Sequence, residues 1–239
     1  MSQNFFRVST GQPITAVTAD EMQDVDRIAV EDIGLSLLQM MENAGRTLAW
    51  HVRDSMDSDV IVIAGNGGNG GGGLTCARHL ANRAIPVQVV LDRPTDELSG
   101  AAAHQAHILD KMDVPITSDI ESLADIDEQT TIVDALIGYG ISGTVRSPAN
   151  KYIDWMNGFS GSTISLDVPS GIDATTGETL GEAVRPTRTV TLALPKTGLD
   201  ASTGELYLAD ISIPRTVYDQ LDIKYERPFG DNNWIQLEQ

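Results

Sequence analysis

The sequence predicts a three-layer α/β fold built on a mostly parallel, doubly wound sheet with two helices ahead of it. Three observations carry that expectation. From Val60 onward, short apolar and β-branched runs alternate with helix-patterned stretches, as in a parallel sheet covered on both faces. Two amphipathic helical stretches precede the first of those runs. The 239 residues are enough to bury a full core, and no linker-like stretch divides them, so one domain over 1–239 is expected.

The first helical signal begins at Thr18, whose hydroxyl can cap the turn while Glu21, three residues on, completes a capping box. Met22, Val25, Ile28 and Ala29 then share a face. After Gly34, Leu37, Met41, Ala44 and Leu48 recur at helical spacing, and Ala44 and Gly45 leave room for another backbone. The strand-like runs are Val60–Ala64, Val87–Leu91, 131–133, Thr163–Leu166, 189–194 and 206–211. Helices are expected over 74–83, 99–112 and 148–157, the last with Ser147 as cap and Pro148 at the first position. At least six strands result. The tail 226–239 shows no clear period.

Charge bounds the partners. Acidic residues outnumber basic ones 34 to 16, for a net charge of -18, and such a surface repels nucleic acid and anionic membranes. The excess is spread along the chain, which suggests a solvation device for a high-salt cytoplasm, where carboxylate repulsion is screened. No stretch approaches the length of a membrane span, and the first residues lack a signal-peptide pattern, so a cytoplasmic location is expected. Cys76 is the single cysteine, which rules out an intramolecular disulfide. His51, His79, His104 and His107 lie in helical stretches and form no ligand cluster.

Two loops carry the chemistry. The run Val60–Ala64 leads into nine residues, 65–73, of which seven are glycine, with a helix expected at once afterwards. Strand, glycine loop and helix start together suit an anion, because backbone N–H groups converge where glycine lets a ligand approach. No Lys-Ser or Lys-Thr pair follows, so this is not a Walker loop. Ligands of open parallel sheets bind beyond the carboxyl ends of strands, and two runs end there in aspartate, Asp134 and Asp167. Asp134 precedes a second glycine-bearing loop, 135–144, and Asp167 precedes Val168-Pro169-Ser170-Gly171. Either aspartate alone could be a simple cap. Their oxygens, with an asparagine amide, a serine hydroxyl and loop carbonyls, suit a hard cation better than zinc. Lys196 follows another strand in a chain that has only Lys111, Lys151 and Lys224 besides.

These residues resemble the YjeF N-terminal domain family, whose enzymatic members are NAD(P)H-hydrate epimerases. The resemblance runs from about 18 to 214. It rests on Met41-Glu42-Asn43-Ala44-Gly45, the glycine loop followed by Ala77-Arg78-His79-Leu80, Val133-Asp134-Ala135-Leu136 with Gly138-Tyr139-Gly140, Asp167-Val168-Pro169-Ser170-Gly171, and Pro195-Lys196-Thr197-Gly198-Leu199. It implies a three-layer α/β/α Rossmann-like sandwich, often a homodimer, that binds hydrated NADH or NADPH and a potassium ion. Potassium would be held by Asn69, Asp134 and Ser170. The hydrated nucleotide would contact Gly68, Asn69, Gly70, Gly71 and Gly72, then Gly138, Tyr139, Gly140, Ile141, Ser142, Gly143 and Thr144, and Asp167. Asp167 is the first candidate for acid and base at the inverted carbon, and Lys196 the second catalytic candidate. The chain departs from the family pattern at Asn66, Gly68 and Gly72, where proline, asparagine and aspartate are usual. Those departures keep open the alternative of a non-catalytic nucleotide-binding module. No segment is left over for a dehydratase domain, so a dehydratase is expected as a separate partner.

Overall fold

A computed structural model describes residues 5–8, 11–141 and 143–238. The elements in chain order are β1 (Phe5–Val8), β2 (Pro13–Thr15), α1 (Ala19–Glu31), α2 (Leu37–Ser55), β3 (Val60–Ala64), α3 (Gly68–Ala81), β4 (Val87–Leu91), α4 (Gly100–Lys111), β5 (Ile116–Thr117), β6 (Thr131–Ala135), α5 (Ala149–Gly158), β7 (Thr163–Leu166), β8 (Arg188–Leu192), β9 (Glu205–Ala209), α6 (Arg215–Gln220) and β10 (Trp234–Glu238). All the strands join one sheet in the order β2-β1-β10-β9-β8-β7-β6-β3-β4-β5. From β9 to β5 every pairing is parallel, whereas β10, β1 and β2 add an antiparallel edge.

Layering follows from burial. β3 reads Val-Ile-Val-Ile-Ala with every residue buried, which requires cover on both faces. Val60, Val62 and Ala64 pack toward α2, α3 and α4, while Ile61 and Ile63 pack toward α5. A third apolar cluster joins α1 and α6 to the antiparallel edge. This is the three-layer sandwich that the alternating pattern predicts. Both N-terminal helices open with complete capping boxes, Thr18 with Glu21 and Ser36 with Gln39.

Several expectations need correction. Residues 74–83 start too late, because α3 begins at Gly68 and the glycines from 70 to 73 lie inside it. Glycine costs a helix about 1 kcal/mol per residue against alanine, and tertiary packing outweighs that cost here. A Cβ on Gly73 would stand 2.3 Å from Ala135 Cβ, one on Gly71 2.8 Å from Met41 Cε, and one on Gly70 1.7 Å from the Gly65 carbonyl oxygen. The helix therefore presses against the sheet and α2 more closely than a side chain permits. The expected cap Ser147 is one residue early, since Pro148 holds the cap of α5. The tail 226–239 is not patternless in space: β10 pairs with β9 and β1. Its partners lie about 30 and 230 positions away in sequence, so no local signal announces it.

Candidate active site

Winding reverses between β3 and β6, because β4 and β5 lie on one side of β3 and β6 to β9 on the other. Such a reversal opens a crevice at the carboxyl ends of the strands. A cavity of about 460 Å³ occupies it, bordered by residues that follow β3, β6 and β7, and this volume is typical of a small-molecule site.

The first turn of α3 forms one wall. Gly67, Gly68, Asn69 and Gly72 line the cavity. The first helical hydrogen bond runs from Gly71 N to Gly67 O at 3.0 Å, so the N–H groups of Gly68, Asn69 and Gly70 have no acceptor within the helix. They make this wall electropositive. Asn66 fastens the loop to the start of α4, accepting from Ser99 N at 2.8 Å and donating to Ser99 Oγ at 3.2 Å. Gly70 and Gly71 are spent on packing and are not among the lining residues.

The loop after β6 forms the floor, through Leu136 to Ile141. Gly143 and Thr144 do not line it, and Thr144 packs toward Gly181 instead. Ser142 lies outside the described residues. Asp134, fully buried as the fourth residue of β6, sits beneath this floor. Its carboxylate accepts from Ser165 Oγ at 2.8 Å, Ser170 N at 2.9 Å and Ser170 Oγ at 2.5 Å. Ser170 Oγ in turn accepts from Ile137 N at 2.8 Å, which ties the floor to the β7 loop. Burial pushes the Asp134 carboxyl above its ordinary value, and hydrogen bonds from Ser170, Ser165 and Leu136 only oppose that shift. No cationic side chain faces it among the described residues. Asn69 packs against Gly138, where a Cβ would stand 3.1 Å from its own, and its amide nitrogen is buried without a partner. Among the described residues no three His, Cys, Asp or Glu side chains are grouped to hold a metal ion.

Asp167 follows β7 directly and is held in the left-handed region, at φ 66°. A non-glycine residue there costs about 1–2 kcal/mol, and the anchoring is correspondingly dense. Its N–H donates to Val190 O at 2.8 Å. Its Oδ1 receives Lys196 Nζ at 2.5 Å, Leu192 N at 3.1 Å and Thr191 Oγ1 at 3.3 Å. Every one of those bonds goes to Oδ1, and Asp167 is among the residues that border the cavity. Lys196 is fully buried, also donates to Leu192 O at 2.9 Å, and does not itself reach the cavity. It lies 5.6 Å from the ring centre of Tyr139.

The sequence reading missed the N-terminal wall. Gln23 and Asp26 of α1 and Leu37, Met40 and Met41 of α2 also border the cavity. Tyr139 donates its hydroxyl to Asp26 Oδ2 at 2.5 Å. The available signal was a carboxylate one turn after Met22, bordering the buried stripe of α1.

The fold and site define a class: a doubly wound α/β protein with a ligand-sized cavity at its winding reversal, where a carboxylate is paired with a buried lysine. Within that class, the chain belongs to the family described as YjeF-related protein N-terminus, which it matches over residues 37–198. It is 44% identical over 243 residues to the NAD(P)H-hydrate epimerase of Dehalogenimonas lykanthroporepellens, covering 97% of this chain and 96% of that one. It is 38% identical over 226 residues to the bifunctional NAD(P)H-hydrate repair enzyme Nnr of Salinibacter ruber, covering 85% of this chain and 42% of that protein. The crystal structure of yeast ynu0 shares the fold, with a TM-score of 0.82 at 24% identity over 93% of this chain and all of that one.

Proposed function

We propose that the chain is an NAD(P)H-hydrate epimerase, an isomerase that interconverts the R and S epimers of hydrated NADH and NADPH. The observation that carries this reading is Asp167, which borders the cavity while its Oδ1 is fixed by Lys196, Leu192 and Thr191. The end-to-end similarity to an epimerase supports it.

The electropositive first turn of α3 binds the nucleotide's phosphate through backbone N–H groups. Gly138, Tyr139, Gly140 and Ile141 form a floor for its rings. The hydroxyl-bearing ring carbon sits beside a ring nitrogen, so its C–O bond breaks readily once the oxygen is protonated. Asp167 exchanges a proton with that oxygen. Lys196 is sealed behind Asp167 and holds its orientation.

Asp134 is a buried carboxyl with no cationic side chain facing it among the described residues, and its neighbours are hard oxygen donors, so the site fits potassium. Asn69, Asp134 and Ser170 would hold the ion, which supplies a fixed positive charge beside the phosphate-binding turn. Residues 1–239 form one domain of this family, acting in the cytoplasm as a homodimer, with an NAD(P)H-hydrate dehydratase as partner completing repair. Its net charge of -18 fits a salt-rich interior.

A test mixes purified protein in molar potassium chloride with one hydrate epimer and follows conversion by chromatography. Folded protein that converts no faster than buffer sinks the reading. Gly68 and Gly72 line the cavity without side chains, which favours a second reading, a non-catalytic binding module. Calorimetric binding without epimer exchange would select it.

A further inference from the structure

Inversion poses a problem that one fixed carboxyl does not solve. The hydroxyl leaves one face of the ring and returns on the other, and a side chain locked by three hydrogen bonds reaches a single face. Asp26 enters the same cavity from α1, whereas Asp167 enters from the end of β7. Tyr139 and Lys196 lie between them: the Tyr139 hydroxyl donates to Asp26, its ring faces Lys196 Nζ, and Nζ donates to Asp167. The entry to α1 is fixed by the segment that carries Lys196 and by Thr175. Val17 N donates to Pro195 O at 2.9 Å, Thr197 N to Val17 O at 2.9 Å, and Ala19 N to Thr175 Oγ1 at 2.9 Å. Asp26 is thus placed by the same stitches that place the lysine.

We propose that Asp26 is a second catalytic carboxyl, serving the ring face opposite to Asp167. The inference rests on the epimerase reading. Asp26 gives its proton to the hydroxyl oxygen; the C–O bond breaks, water departs with the electron pair, and the ring nitrogen's lone pair forms a C=N bond to that carbon. A second water then attacks the carbon from the other face, the C=N pair returns to nitrogen, and Asp167 takes the proton released. One water has left, one has entered, and one proton has moved from Asp26 to Asp167. The opposite inversion, or exchange with solvent, restores the starting state. Burial raises the Asp26 carboxyl above its ordinary value, with Tyr139 and Lys196 opposing and Asp167 reinforcing the shift, which favours the protonated form an acid needs.

Three proteins are compared: the unmodified chain, Asp26→Asn, whose amide oxygen still accepts from Tyr139, and Asp26→Ala. Each is given one epimer of hydrated NADH in oxygen-18 water, with binding measured separately by calorimetry. The proposal expects the Asp26→Asn variant to bind within about threefold of the unmodified chain and to convert about a hundredfold or more slowly. Formate should restore part of the rate to Asp26→Ala, an effect that a purely structural role would not produce. Product from the unmodified chain should carry solvent oxygen. Undiminished conversion by Asp26→Asn, no formate rescue, or product lacking the label would each overturn it. An inert unmodified chain is a different result, because it removes the epimerase reading itself.

Discussion

Replacing Lys196 by methionine isolates the pair at the centre of the site. Lys196 has no exposed side-chain surface and Asp167 keeps 4% of its own. Losing the ammonium leaves a desolvated carboxylate at Oδ1 with only Leu192 N and Thr191 Oγ1, and it also strips Leu192 O of its donor. Breaking one partner of a buried ion pair costs about 3–5 kcal/mol. For a domain of this size each 1 kcal/mol lowers Tm by about 2–4 °C, so a fall of about 6–20 °C is expected. The double variant Asp167→Asn, Lys196→Met removes both charges and should recover most of that loss, with a coupling energy of about 2 kcal/mol or more. Urea unfolding at fixed potassium chloride, run on the unmodified chain, both single variants and the double, measures it. Conversion of a hydrate epimer should be lost in Lys196→Met and stay lost in the double variant. If Lys196→Met unfolds within about 1 kcal/mol of the unmodified chain, the pair is not the desolvated contact described, and the orienting role given to Lys196 fails with it.

Two glycines of α3 should respond in opposite ways: Gly73→Ala places a Cβ 2.3 Å from Ala135 Cβ and should destabilise by about 1–3 kcal/mol, whereas Gly68→Ala meets only Met41 Cε at 4.0 Å and should be neutral or stabilising. Thermal melts of the two decide it, and equal shifts would contradict the packing account. Because the folded-state value of Asp134 is raised, its contribution favours folding below its unfolded value and is lost as pH rises through the folded one. At neutral pH, potassium should therefore raise Tm above that in tetramethylammonium chloride of equal strength, and Asp134→Asn should abolish the difference. His51 is fully buried with both ring nitrogens unpartnered, and burial, with Arg188 nearby, lowers it to about 3. Its neutral ring keeps full stability above about pH 6.5 and loses it progressively toward pH 3, so His51→Phe should remove about 3 kcal/mol of the acid loss seen by pH 4.5. Chemical unfolding at pH 7 and 4.5 measures that difference, and an unchanged acid loss would remove His51 as its source.

Local sequence determined the parts of this protein whose physics is local. The capping box at Thr18, the doubly buried strand Val60–Ala64 and the turn Pro169–Gly171 follow from residue type and spacing. The positions of Asp134 and Asp167 at strand ends were legible for the same reason, since a parallel sheet presents those ends to ligands. Tertiary structure alone decided the rest. Glycines 70 to 73 read as loop because their intrinsic preference opposes a helix; only contact with Met41, Leu166 and Ala135 makes their missing side chains an advantage. β10 exists through pairing with residues at the far end of the chain. Asp26 reads as one more acid on an acidic helix until α1 swings it over the cavity to meet Tyr139, 113 positions away. Chemistry of that kind depends on which distant segments fold against each other, and no window of neighbouring residues contains that information.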